Sequence, residues 1–295
     1  MASTISPPGP ETLPSPEDQQ KAAEQLLRRL PSLPTVSARL LGMMGRADVN
    51  LKEVSNLIIS DAALTGEILH MANSAMFGVR SEVRSILQAL AVLGTEKVKG
   101  LACTVALRSY LGNALQIPAL KRCWRHNLAT AVVTSELAEW ARQDSGEAYT
   151  AGILHDIGRL GLIAVDPAKY LTMLDAAVGV SGCLCDHERA AYGLDHAFAG
   201  EWLARSWGLP EFICSAIRAH HRPQTARYDE IGGLINYGCR ISDVLGFSAI
   251  EGLQIEDDPL EEFLGLIPAA QRERMNINPR ELQILIASRV NALEA

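Results

Sequence analysis

Hydrophobic positions recur every three to four residues along most of the chain, and the strict alternation of a half-buried strand is missing. From Pro16 to Leu30 the pattern is helical. In "PSLPTVSARLLGMM" two prolines form a turn, and Val36, Leu40, Leu41 and Met44 then make an apolar stripe. Asn50 is placed to cap a helix carrying Val54, Leu57 and Ile58, and Asp61 to cap one carrying Leu64, Ile68, Leu69 and Ala72. Ser85 opens a further helix that stops at Gly94, and "TEKVKGLACTVALRSYLG" reads as another. In the second half the period predicts helices over roughly 120–143, 146–160, 166–178, 183–192, 195–207, 210–220 and 228–245. Asn278 and Pro279 form an N-cap and first-turn pair near the end. The pattern therefore predicts an all-α protein, a helical bundle in two lobes that meet near residue 115. Its expected parts are a Pro-rich disordered leader (1–20), an N-terminal helical lobe (21–115), a helical core (116–250) and a C-terminal helical extension (251–295).

Composition narrows the function classes. Apolar residues make up 48% of 295, enough to bury a sizeable core. A net charge of -7 argues against a general nucleic-acid binder, which must neutralise phosphates, so no nucleic-acid partner is expected. Residues 1–20 lack the basic start and apolar centre of a secretory signal, and no apolar run approaches the ~20 residues of a membrane helix. No membrane partner is expected. Cysteines 103, 123, 183, 185, 214 and 239 lie scattered in apolar segments and read as reduced core thiols of a cytoplasmic protein. Cys183 and Cys185 form a C-x-C, read as structural rather than as a metal motif.

The chemistry lies in the histidines. His155 and Asp156 stand side by side in "GILHDIGRLGL", an apolar segment where both are costly to bury without partners. They belong to an ordered series: His126, His155-Asp156, His196, His220-His221 and Asp243. Imidazoles and carboxylates are the ligands that Zn, Fe and Mn accept, and a carboxylate with two free oxygens can bridge two ions. Each member has a plainer reading. His220 and His221 stand where a helix ends before Pro223 and can interact with its dipole, and Asp243 can be an ordinary polar residue of an amphipathic helix. His70 and His187 are left as surface or supporting residues. Taken together and in this order, the seven positions point to a divalent-metal site of one or two ions.

The order H…HD…H…HH…D resembles the HD superfamily of metal-dependent phosphohydrolases. The chain is more closely similar to the HDOD family, an HD-related output domain of bacterial signalling proteins. "LPSLPTVSARLL", "ISDAALTGEILHMANSAMFG" and "VRSILQALAVLG" carry the N-terminal likeness. "AGILHDIGRLGL", "ERAAYGLDHAFAGEWLARSWGLPEFICSAIRAHH" and "ISDVLG" carry the C-terminal one. The resemblance covers roughly residues 22–247 and implies an HD-like core in the second half and a role in bacterial signal transduction. It implies no fixed reaction, since many members of the family are non-catalytic.

The chain keeps positions matching nearly the whole ligand set of the related HD-GYP phosphodiesterases, which cleave cyclic di-GMP. It departs from them in three ways. The Gly-Tyr-Pro signature is absent from "HHRPQTARYDE". Arg122 stands four residues before His126, where trinuclear relatives carry a ligating glutamate, so two ions at most are expected. Arg159 replaces a phosphate-contacting lysine and keeps the charge with a bidentate fork. In this reading Asp156 bridges, His126, His155 and Asp243 hold one ion, and His196, His220 and His221 hold the other. The expected function is a non-catalytic signalling module binding metal, a nucleotide or cyclic dinucleotide, and a signalling protein partner. The alternative is a metal-dependent phosphohydrolase with Asp156 and Arg159 as catalytic residues. A metal-free helical scaffold ranks last.

Overall fold

The computed structural model describes residues 14–30, 33–43, 49–74, 77–177, 184–221, 230–251, 258–272 and 278–294. Most of the expected leader, Met44, Cys183, Pro223 and the rest of the segment after His221 lie outside the described residues. Among the described residues there is no strand, as the all-α reading requires.

The N-terminal half consists of α1 (Pro16–Leu27), α2 (Thr35–Gly42), α3 (Leu51–Ile59), α4 (Ala62–Ala72), α5 (Ile86–Leu93) and α6 (Thr95–Leu111). A short tight turn, Gly112–Gln116, leads into α7 (Pro118–Ala141) and α8 (Ser145–Leu154). There follow α9 (Ile157–Val165), α10 (Pro167–Ala177), α11 (Leu184–Tyr192), α12 (His196–Ser206), α13 (Glu211–Ala219) and α14 (Ile231–Ser242). A wide π-type turn, Asp243–Phe247, then precedes α15 (Pro259–Leu266), α16 (Ala269–Arg272) and α17 (Pro279–Glu294).

The predicted caps form. Asn50, Asp61 and Ser85 accept from the backbone N–H of Lys52, Leu64 and Gln88, and Gly94 ends α5 with φ at 88°. Asn278 caps α17, accepting from Arg280. A single apolar core runs through both halves, from Leu40 and Ile68 through Leu101 to Leu128, Leu154 and Ile217. Helix α6 links them, packing on α4 and α2 on one side and α8 on the other. Helix α1 lies against α9 and α12, so its buried Ala23 and Leu27 belong to the packing of the C-terminal half. Among the described residues no helix is long and apolar enough to cross a membrane.

One expectation is corrected. The span 146–160 is not one helix but two, with α8 ending at Leu154 and α9 starting at Ile157. Asp156 has φ -106° and ψ 22°, outside the helical well, and its side chain caps nothing. The apolar period continues across the break, which is why the pattern reads through it. The break exists because both side chains at the junction are turned into one buried centre, which a continuous helix would send to different sectors.

Candidate metal centre

One helix, one helix break and two helix ends bring the site together. Helix α7 supplies His126, the α8–α9 break His155 and Asp156, the start of α12 His196, and the end of α13 His220 and His221. Asp195 fixes the α12 start by accepting from Phe198 N at 2.8 Å, so His196 stands in the first turn. Close helix crossings need small residues, most sharply at Gly158 and Gly238. A Cβ on Gly158 would lie 1.9 Å from the His196 carbonyl oxygen, so only glycine lets α9 meet α12 there. A Cβ on Gly238 would lie 2.2 Å from Thr134 Oγ1, which sets α14 directly on α7.

The imidazoles form a chain. Ring centroids are 5.2 Å apart for His126 and His155, 5.1 Å for His155 and His220, and 5.4 Å for His220 and His196. His221 packs on both His196 and His220. In four of these rings Nδ1 faces an outer acceptor. His155 Nδ1 lies 2.7 Å from Gly152 O, His220 Nδ1 2.6 Å from Ile217 O, and His126 Nδ1 2.9 Å from Phe247 O. His196 Nδ1 lies 2.5 Å from Glu188 Oε2, which also accepts from the His196 backbone N–H at 2.8 Å. An Nδ1–H engaged in this way puts the lone pair on Nε2. All four Nε2 atoms face the centre, those of His155 and His220 without a partner and that of His196 at 2.7 Å from His221 Nε2.

Asp156 sits among them, almost fully buried. Its Oδ1 lies 3.3 Å from His196 Nε2 and 3.5 Å from His220 Nε2. Its Oδ2 lies 2.8 Å from Arg159 Nε and 3.9 Å from His155 Nε2. Asp156, His196, His220 and His221 form one group whose ligand atoms all lie within 4.8 Å of one another, and His126, His155 and Cys239 form a second. The two oxygens of Asp156 thus face toward the two groups.

Asp243 stands apart from both groups. Its Oδ1 is 3.3 Å from His126 Nδ1, on the opposite side of the ring from the Nε2 that faces Cys239 at 3.4 Å. Arg122 is directed away, pairing with Glu251 at 3.3 Å on the surface. Arg159 is buried, and one terminal nitrogen lies 3.3 Å from His196 Nε2.

Electrostatics follow from burial. It pushes His155 and His221 well below the ordinary histidine range and His220 below it, so these rings stay neutral and able to coordinate. Burial also disfavours a charged His196, but the Glu188 and Asp156 carboxylates together outweigh it and raise that pKa. Burial alone would raise Asp156, but Arg159 and then His196 hold it well below the carboxylate range, and it is ionised. Burial raises Asp243, and burial with Asp243 beside it keeps the Cys239 thiol well above its usual value.

A divalent cation fits these residues. His155 Nε2, His220 Nε2 and Asp156 Oδ1 are buried without a hydrogen-bond partner, which is costly for polar atoms in a protein interior. The 3.3 and 3.5 Å separations from Asp156 Oδ1 match the edges of a tetrahedral site with bonds of about 2.0–2.2 Å. Two residues of the centre escaped the sequence reading. Glu188 comes from α11, eight residues before His196, and is reached across a turn. Cys239 stands among apolar residues, and from the sequence alone it reads as a core thiol.

The profile of the HDOD domain family matches residues 30–223. An uncharacterised protein of Treponema pallidum is 27% identical over 210 residues, which is 68% of this chain and 40% of that protein. The chain thus spans under half the length of that relative. The crystal structure of a Shewanella amazonensis protein, assigned provisionally as a phosphohydrolase, superposes with a TM-score of 0.69 at 26% identity. The match covers 92% of this chain and 96% of that one. A Marinobacter aquaeolei protein, assigned provisionally to signal transduction, shares the fold with a TM-score of 0.71 at 21% identity, over 95% of this chain and 65% of that one.

Proposed function

The chain belongs to the HDOD domain family, and from that premise we propose that it is a non-catalytic module of bacterial signal transduction whose helical core holds divalent transition metal. The carrying observation is the inward set of Nε2 atoms on His126, His155, His196 and His220, each ring held by an acceptor at Nδ1, around the ionised Asp156. In this reading Asp156, His196, His220 and His221 hold one ion, and His126 and His155 serve a second, with Asp156 between them. Asp243, on the Nδ1 side, holds the His126 ring. Fe, Mn and Zn all suit such donors. Among the described residues the five cysteines are buried and none forms a disulfide, which fits a reducing cytoplasm.

The size of the cavity favours a small ligand. Bounded by His126, Arg159, His196, His221, Cys239 and Asp243 among the described residues, it measures about 140 Å³. Pockets for organic ligands run to roughly 300–1,000 Å³. The cavity admits a cation and a phosphate-sized group rather than a whole cyclic dinucleotide. The output of such a module goes through a signalling protein partner, with metal or a nucleotide phosphate as its input.

A second reading has its own support. Asp156 and Arg159 stand side by side at the centre, and the Shewanella relative is assigned provisionally as a phosphohydrolase. A bound metal would supply a water of lowered pKa, and Arg159 would hold a phosphate oxygen. The test is hydrolysis of cyclic dinucleotides and simple phosphodiesters by the full chain with added Mn or Fe, against Asp156→Ala. The module reading predicts no turnover above the variant. Sustained metal-dependent hydrolysis abolished by the substitution would replace it with the enzyme.

A further inference from the structure

We infer that Cys239 is a thiolate ligand of the ion served by His126 and His155, which gives that half of the centre a mixed nitrogen and sulfur donor set; the inference rests on the metal reading above. Cys239 lies on α14 one helical turn before Asp243, so the two share a face. The close crossing at Gly238 and Thr134 presses this part of α14 onto α7 and brings Cys239 Sγ to 3.4 Å from His126 Nε2. With a metal–nitrogen bond of about 2.0 Å and a metal–sulfur bond of about 2.3 Å, a tetrahedral edge is about 3.5 Å. The observed separation, that of an S–H···N contact, is close to that edge.

A second observation points at the same place. His155 is fully buried, its Nδ1 is engaged by Gly152 O, and its Nε2 has no hydrogen-bond partner. That atom, His126 Nε2 and Cys239 Sγ lie within 4.8 Å of one another, and all three residues are buried. His126 Nδ1 faces the Phe247 carbonyl, so the ring presents an acceptor to the sulfur side. Asp243, the carboxylate on this helix, faces the other nitrogen and does not compete. A thiolate makes the set softer than nitrogen and oxygen alone, which favours Zn, Co and Fe over Mn or Mg.

The test is cobalt reconstitution of the full chain, read by absorption. Wild type should show an intense thiolate-to-cobalt charge-transfer band in the near ultraviolet. The band should survive in Cys185→Ser, which alters the other cysteine lining the cavity, and vanish in Cys239→Ser, which should still bind cobalt at the Asp156 group. Cobalt bound without the band, or a band that persists in Cys239→Ser or is lost in Cys185→Ser, would overturn the inference and leave the metal reading standing. A wild type that binds no cobalt or zinc would overturn both. Should Cys239→Ser fail to fold, X-ray absorption of zinc-loaded wild type decides: a sulfur neighbour at about 2.3 Å is expected, and a shell of nitrogen and oxygen alone refutes it.

Discussion

At the residue scale the centre depends on which ring nitrogen is engaged. Glu188 contributes no atom to the inner groups of Asp156 or His126 but fixes His196 through both Nδ1 and the backbone N–H. Glu188→Gln should weaken metal binding by about 10–100-fold, the usual effect of losing such an outer carboxylate, as read by competition with a chelating dye. Unchanged affinity would remove Glu188 from the account. The metal-free protein should also lose stability in acid. His155, His220 and His221 all have lowered pKa values, so the unfolded chain takes up protons first. Their contribution is complete above the ordinary histidine pKa of about 6.5 and is lost as pH falls from there toward the folded values. His196, raised, acts oppositely, contributing fully below about 6.5 and losing that contribution as pH rises through its folded value. Urea midpoints at pH 7.5 and 5.5 should therefore fall on acidification, with the net sign set by three rings against one. The histidine and aspartate series was legible because those residue types are conspicuous in apolar helices. Glu188 and Cys239 were not, because a turn separates Glu188 from His196, and a cysteine among apolar residues looks like core.

At the element scale the site depends on how closely helices approach. The backbone contact between α9 and α12 leaves no volume for a methyl group at Gly158. Gly158→Ala should cost about 1–3 kcal/mol or more in urea unfolding and displace His196 from Asp156, lowering metal affinity at the same time. A variant with wild-type stability and affinity would show that the helices are not seated as described. Helix identities and caps were legible from period and from Asn50, Asp61 and Ser85. The break at His155 and Asp156 was not, because the helical period carries across it and the cause of the break is tertiary.

At the scale of the whole molecule the centre joins segments from residue 126 to residue 239, with α1 packed behind α9 and α12. Leu27 is 2% exposed there, so Leu27→Ala should cost about 2–5 kcal/mol, measured by urea unfolding, although it touches no proposed ligand. Period alone places Leu27 on an apolar stripe but not against the second half of the chain, because contacts between distant segments leave no local trace. Metal that binds only the folded state should stabilise all of this together, so chelation should lower the thermal midpoint of wild type and not of Asp156→Ala. The most direct test of the central claim is metal content per chain, by elemental analysis of protein purified without added metal or an affinity tag. The account predicts up to two equivalents of Zn, Fe or Mn, falling sharply in Asp156→Ala. No metal in the purified chain, with none rebound on addition of Zn, Fe or Mn, would contradict it.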